Sequence, residues 1–337
     1  MNASATTPLI EVEDLGVRLN TSRGAAQAVR NVSFSLRREE TLGLVGESGC
    51  GKSVTALALM GLLPDSALVS GSIRLDGSEL VGASDADYRK LRGNRISMIF
   101  QEPMTALNPM HTIGRQVAEP LRRHKALSAE QAREEAIALL DRVGLPDAAK
   151  RVDAYPHQFS GGQRQRVTIA MALACQPDLL IADEPTTALD VTIQGQILDM
   201  IADLVAERGM AMILISHDLG VIAENVQKMM VMYGGTVVES GATAEVFARM
   251  GHPYTQGLFR ARPRLGARKG TRLKTIAGTV PELADLPAGC AFSDRCALVQ
   301  NRCRAALPPV VEVGSGHGVR CVRTDVSMAE AVGVLPA

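Results

Sequence analysis

Gly46-Glu47-Ser48-Gly49-Cys50-Gly51-Lys52-Ser53 has the make-up of a loop that wraps phosphate. Closely spaced glycines let backbone N–H groups turn toward an anion, a lysine reaches the β- and γ-phosphates, and a hydroxyl at a helix N-terminus ligates Mg²⁺. Lys52 and Ser53 fill the last two roles, while Gly46, Ser48, Gly49, Cys50, Gly51 and Val54 supply the rest of the cradle. The apolar run Leu42 to Val45 precedes the loop and the helix-like stretch Val54 to Leu63 follows it, the order such a loop requires. Downstream, Leu179-Leu180-Ile181-Ala182 ends in Asp183-Glu184, two acids at the tip of a buried strand, where open α/β sheets bind their ligands. Adjacent carboxylates can divide the work: Asp183 would hold Mg²⁺ through water, and Glu184 would polarise the attacking water as general base. A third apolar run, Met212 to Ile215, ends at Ser216-His217 and would carry His217 toward the γ-phosphate.

The elements that must position these residues follow from hydrophobic period. Around Ser22 to Gly24, alternating residues (Ile10, Val12, Leu15, Val17, then Ala28, Val29, Val32, Phe34, Leu36) predict antiparallel strands with one wet face. Short apolar runs at Leu42 to Val45, Ile96 to Phe100, Leu179 to Ala182 and Met212 to Ile215 predict a central parallel sheet covered on both faces. Helical spacing recurs at Ala136, Leu139, Leu140, Val143, at Val167, Ala170, Met171, Ala174, and at Ile197, Met200, Ile201, Leu204, which makes the fold α/β. Strand pattern disappears from about Glu102 to Gln158, which predicts a helical insertion. From His252 the chain becomes rich in Pro and Arg and loses long periodicity, predicting an irregular appendage; the division is 1–251 and 252–337.

Of the 337 residues 46% are apolar, so the core is large, and 36 Lys plus Arg balance 36 Asp plus Glu. A net charge of zero removes the electrostatic footprint of a general nucleic-acid binder. No apolar run approaches the ~18 residues needed to span a bilayer. An N-terminus with Glu11, Glu13 and Asp14 is unlike a signal peptide, so a cytoplasmic chain is expected. Its six cysteines are then read for metal binding or catalysis rather than for disulfides.

Phe159-Ser160-Gly161-Gly162-Gln163 chooses among phosphate-loop proteins. Here the sequence resembles the ATP-binding subunits of ABC transporters, whose signature loop is Ser-Gly-Gly-Gln opening a helix; Ser160 and the free N–H groups of Gly161 and Gly162 would form a second anion site at a helix N-terminus. The resemblance implies a RecA-like core. It also implies that Ser160, Gly161, Gly162 and Gln163 close on the γ-phosphate held by a partner subunit. Gln101 matches the Q-loop, which joins Ser53 and Asp183 around Mg²⁺, senses the γ-phosphate and couples to the membrane subunits; Ala188-Leu189-Asp190 matches the D-loop, with Asp190 communicating between two sites; His217 matches the switch histidine that stabilises the transition state. The insertion after Glu102 would grip the permease. Three positions depart from the pattern: Leu19 stands where many relatives stack an aromatic ring on adenine, Glu39 stands where glycine is usual, and Cys50 replaces serine, which predicts sensitivity to alkylation.

Narrower stretches, Phe100 to Pro109, Tyr155-Pro156-His157-Gln158 and His252-Pro253-Tyr254-Thr255, are similar to the dipeptide and oligopeptide importers. Met60 to Pro64 and Ala288-Gly289-Cys290 resemble the D-type ATPase subunit, which pairs with a homologous F-type ATPase. The expected partners are that second ATPase, two membrane permeases and a periplasmic or extracellular peptide-binding protein, with no nucleic acid; the expected place is the cytoplasmic face of the membrane. Nickel, glutathione or antimicrobial-peptide uptake, or a soluble ATPase acting on nucleic acid or ribosomes, are the alternatives. Cys290, Cys296, Cys303 and Cys321 are separated by five, six and seventeen residues, a spacing that does not name a metal; thiolates suit both zinc and iron–sulfur clusters. The resemblance implies a [4Fe–4S] cluster. His317 is read as a solvated loop histidine rather than a ligand, and Cys175 as core.

Overall fold

The computed structural model describes residues 7–187, 189–261 and 275–323, with the side chains of Pro103, Met104 and Val191 excepted. Ala188 of the D-loop stretch, and 262–274 and 324–337 of the C-terminal extension, lie outside the described residues. The chain opens with β1 (Ile10–Thr21) and β2 (Gly24–Leu36), followed by β3 (Thr41–Val45), the glycine-rich loop and α1 (Lys52–Leu59). Next come β4 (Leu68–Leu75), β5 (Ser78–Glu79), α2 (Asp85–Leu91) and β6 (Ile96–Ile99). Four helices occupy the expected insertion: α3 (Pro103–Ala106), α4 (Ile113–His124), α5 (Ala129–Arg142) and α6 (Ala148–Arg151). Then follow α7 (Gly161–Leu173), β7 (Leu179–Asp183), α8 (Val191–Glu207), β8 (Ala211–Ser216), α9 (Leu219–Asn225), β9 (Lys228–Tyr233), β10 (Thr236–Ala242), α10 (Thr243–Ala248), α11 (Pro253–Ala261), α12 (Asn301–Ala305), β11 (Val311–Gly314) and β12 (His317–Val319).

The strands form a four-stranded antiparallel sheet, ordered β2-β1-β4-β5, and an eight-stranded sheet, ordered β11-β12-β10-β9-β3-β8-β7-β6. Within the larger sheet β9, β3, β8, β7 and β6 run parallel. Alternation explains its two cores. On β7, Leu179 and Ile181 face the antiparallel sheet and Ala56 and Leu59 of α1, whereas Leu180 and Ala182 face Val167 and Ala170 of α7 and Ile197 and Ile201 of α8. Covered on both faces, the strand has no polar side and reads as a continuous apolar run.

Several strands escape the sequence reading. In β4 only Ile73 and Leu75 are buried, so no alternation betrays it. The Met-rich β9 and its antiparallel neighbour β10 were not read as strands. The region after His252 is not wholly irregular, because β12 pairs with β10 (Glu239 with Val319, Ser240 with Gly318), though a strand of 3 residues carries no periodicity. His317 is accordingly not a solvated loop residue. It is 1% exposed, and its Nε2 lies 2.8 Å from Oε1 of the equally buried Glu239.

Candidate functional site

Strand register brings the site together. Val45 pairs with Ser216, Asp183 with Ile215, and Ile99 with Ala182, so the carboxyl ends of β3, β8, β7 and β6 form one row. The residues after each end, Gly46 to Ser53, His217, Glu184 and Gln101, therefore emerge along a single crevice, as expected for ligand sites of open α/β sheets.

The glycine-rich loop needs its glycines. At Gly46 (φ +154°) a Cβ would lie 2.3 Å from the Met232 carbonyl oxygen and 2.7 Å from Cys50 Sγ; at Gly51 (φ +102°) it would lie 2.7 Å from the Ala28 carbonyl oxygen. Lys52 is buried and folds back, its Nζ donating to the carbonyls of Gly46 (2.6 Å) and Glu47 (3.1 Å). Cys50 is fully buried behind the loop, and desolvation pushes its thiol pKa up against the pull of Lys52. The expected alkylation sensitivity is thus opposed on two counts, access and ionisation.

Asp183, 4% exposed, has an Oδ1 with no hydrogen-bond partner. Burial pushes its carboxyl up, offset in part by a hydrogen bond from Ser53 and by Lys52. An orphaned, desolvated carboxylate oxygen beside the Ser53 hydroxyl and a lysine suits a hard cation with oxygen ligands. Glu184 adopts a left-handed φ of 47°, its N–H bonded to the Ile215 carbonyl at 3.0 Å, which turns its side chain out of the strand direction. There its Oε2 accepts from Gln101 Nε2 (3.1 Å) and Thr187 Oγ1 (2.9 Å), while Oε1 lies 3.2 Å from His217 Nδ1. Gln101 and His217 are exposed and Glu184 is half-buried, so the cluster opens onto the crevice. Thr187 was not singled out from the sequence; its place three residues after Glu184 is the only signal.

Ser160 caps α7, its Oγ accepting from Gln163 N at 3.3 Å while Gln163 Oε1 accepts from Ser160 N at 3.2 Å. This reciprocal box fixes the helix start and leaves Ser160 and Gly161 at the surface. Asp190 caps α8 with a single bond, its Oδ1 accepting from Ile193 N at 3.2 Å, and Gln194 Nε2 donates to the carbonyls of Thr186 and Leu189 in the same loop. Leu19, on β1 opposite Ala26, is half-buried. Glu39 has φ +64°, which explains the usual glycine: the turn demands a left-handed residue.

Cys290, Cys296, Cys303 and Cys321 line one small cavity together with His252, Phe292 and Ser293. All four thiols are free. Burial, with the neighbouring thiols, pushes Cys290 up to about 11. Backbone N–H groups reach the sulfurs, from Gln300 to Cys303 (3.4 Å) and from Arg323 to Cys321 (3.4 Å). Within the same lining, His252 Nε2 and Ser293 Oγ are buried without a partner. Among the described residues no group of three or more His, Cys, Asp or Glu is arranged to hold a metal ion.

Comparison with known proteins decides the family. A peptide import ATP-binding protein of Brucella abortus (strain 2308), so named, is 51% identical over 328 residues, covering 94% of this chain and 97% of the relative. The chain belongs to the ATP-binding subunits of ABC transporters. It is an ATPase of the cassette fold, and the ABC transporter family profile matches its residues 29–187. The profile of the oligopeptide/dipeptide transporter C-terminal region matches residues 238–303. A Sinorhizobium fredii protein named as a peptide ABC transporter ATP-binding protein is 46% identical, covering 94% of the cassette chain and 95% of the relative. An ATP-binding cassette solved as a dimer in a post-hydrolysis state with ADP and Pi superposes with a TM-score of 0.62 at 26% identity, over 69% of this chain and 98% of that one. A component of a Clostridium perfringens ABC transporter complex gives 0.60 at 28% identity, over 72% and 91%. No helix of the described cassette is long and apolar enough to cross a membrane.

Proposed function

We propose that this cassette is the ATP-hydrolysing subunit of a membrane complex that imports di- or oligopeptides. The observation that carries the reading is the convergence of Gln101, Thr187 and His217 on one carboxylate, Glu184, in the crevice that Gly46 to Ser53 borders. Glu184 takes the proton of the attacking water, His217 and Gln101 hold that carboxylate in place and report on the γ-phosphate, and Lys52 turns from the loop carbonyls to the phosphates. Mg²⁺, held by Ser53 and Asp183 with Gln101 nearby, would supply charge neutralisation at the phosphates. Ser160 to Gln163 serve the site of a second, homologous F-type ATPase, and Asp190 reports between the two. Two permeases, gripped through the insertion, and a peptide-binding protein outside the membrane complete the assembly, with this chain peripheral on the cytoplasmic face. The peptide cargo is supported by the C-terminal region at residues 238–303 and by the relatives' names. Mass spectrometry of what co-purifies with the tagged chain in mild detergent tests it: permeases, a second ATPase and a binding protein are expected, and recovery with ribosomes or DNA alone rejects it.

We propose in addition that the four cysteines hold a [4Fe–4S] group. The reading is supported by an all-thiol donor set, by a cavity that all four line and by backbone N–H bonds to the sulfurs of Cys303 and Cys321. Cys290, Cys296, Cys303 and Cys321 would hold such a cluster, which would cross-link the segment. Iron and acid-labile sulfide in anaerobically purified protein are expected; absence of both rejects the assignment.

A further inference from the structure

The loop between Cys290 and Cys296 reaches the phosphate loop. Its Arg295 is 5% exposed at the side chain, and each guanidinium nitrogen is bonded. Nε donates to the Ala277 carbonyl (2.9 Å), Nη1 to Glu47 Oε2 (2.6 Å) and Tyr233 Oη (3.3 Å), and Nη2 to Glu47 Oε1 (3.1 Å) and the Ile276 carbonyl (3.5 Å). Glu47 is the second residue of the phosphate loop, so a fork of two bonds pins that loop to the cysteine segment. A second pin acts on the same residue from its backbone: Glu47 N donates to Tyr254 Oη at 2.7 Å. Burial keeps the Tyr254 phenol protonated, and Tyr254, Tyr233 and Phe292 pack as an aromatic trio with centroids 4.6 to 5.3 Å apart. Phe292 also lines the cysteine cavity. Thiol cavity, aromatic trio, Arg295 and Glu47 are therefore one packed unit, although 248 residues of sequence separate Arg295 from Glu47.

We propose that Arg295 is a positioning residue for nucleotide binding, through which the four-cysteine segment holds the phosphate loop in the shape that receives ATP. The proposal rests on the reading of Gly46 to Ser53 as the phosphate site. A loop pinned before ligand arrives spends none of the ligand's binding energy on ordering. Coupling of this kind is reciprocal, so nucleotide must in turn steady the cysteine segment.

The test uses the full chain and a fluorescent ATP analogue, with Lys52→Ala alongside. Arg295→Ala is expected to weaken the analogue about tenfold, the scale of one lost charge-assisted pair, with KM for ATP rising more than kcat falls. Arg295→Lys, which keeps the charge but not the fork, should restore part of the affinity. Glu47→Gln should weaken binding too, and Glu47→Gln with Arg295→Ala should be no weaker than the worse single variant. Nucleotide should slow hydrogen exchange at 290–296 in the native chain and not in Arg295→Ala. Unchanged affinity in Arg295→Ala while Lys52→Ala loses binding overturns the proposal, as does strict additivity in the double variant. Normal binding by Lys52→Ala overturns the underlying phosphate-loop reading and the proposal with it. Should Arg295→Ala fail to fold, Glu47→Gln, which alters a half-exposed side chain of the loop, decides the matter in its place.

Discussion

His217 Nδ1 lies 3.2 Å from Glu184 Oε1, and the other oxygen of that carboxylate is taken by Gln101 and Thr187. A carboxylate held from three sides is oriented before substrate arrives, which is what a general base for water requires. Glu184→Gln should bind ATP normally, accumulate as the closed dimer and lose turnover at least a hundredfold, about the worth of a positioned base. Near-normal ATPase activity in the assembled complex would reject the role. His217→Ala should lower kcat with little change in nucleotide affinity.

Among the described residues Lys52 donates to the carbonyls of Gly46 and Glu47 and to Cys50 Sγ, so its charge is available to phosphate once it turns. Lys52→Ala should lose nucleotide affinity and uptake together. The chain contains no Trp, so a labelled nucleotide is the appropriate probe.

Cys50 should resist alkylation in the folded chain. Its raised thiol pKa means that little thiolate forms at the pH of ordinary labelling, and its complete burial keeps reagent out. Labelling with iodoacetamide at about pH 8, read by peptide mass spectrometry, should mark Cys50 in denatured protein and spare it in native protein. Rapid native modification with loss of ATPase would contradict this.

Glu39 is exposed and sits at φ +64°. Glu39→Gly removes the left-handed penalty without removing a buried contact and should raise stability by about 1 kcal/mol. A lower unfolding midpoint in urea would show that the side chain does something the backbone does not reveal.

Phe100 (43% exposed) and Met110 (79%) are large apolar side chains bare on the surface around Gln101 and the start of the insertion. Met110→Glu should leave nucleotide binding intact and abolish co-purification with the permeases. Retention of the complex would place the grip elsewhere.

The chemistry was legible because the reacting residues lie at or just past the ends of doubly covered strands: β3, β6, β7 and β8 end at Val45, Ile99, Asp183 and Ser216, and their apolar runs are the strongest local signal a parallel sheet emits. The antiparallel hairpin was legible from period two. What stayed hidden is what depends on distance in sequence. Nothing around Arg295 announces that its partner is Glu47, and nothing around His317 announces Glu239. Tyr254 lay in a stretch noted for resemblance alone, and only packing gives its hydroxyl an N–H to accept. Glu39 was noticed as an oddity, but a φ value was needed to say why.

The pairing of β12 with β10 has a consequence for how the chain behaves among its neighbours. A sheet end with bare N–H and C=O groups invites strands from other molecules. Here β12 covers the border of β10 and leaves the short, largely exposed β11 as the outer strand, and buried Glu239 stitches the cover by accepting from Gly251 N and His252 N, with His317 Nε2 2.8 Å away. A cassette trimmed after 251 would keep every motif that handles ATP, yet it would expose the border of β10 and leave the Glu239 carboxylate with Gly251 N as the one remaining donor of these three. Minimal versions of this protein are therefore expected to precipitate as well as to bind nucleotide more weakly.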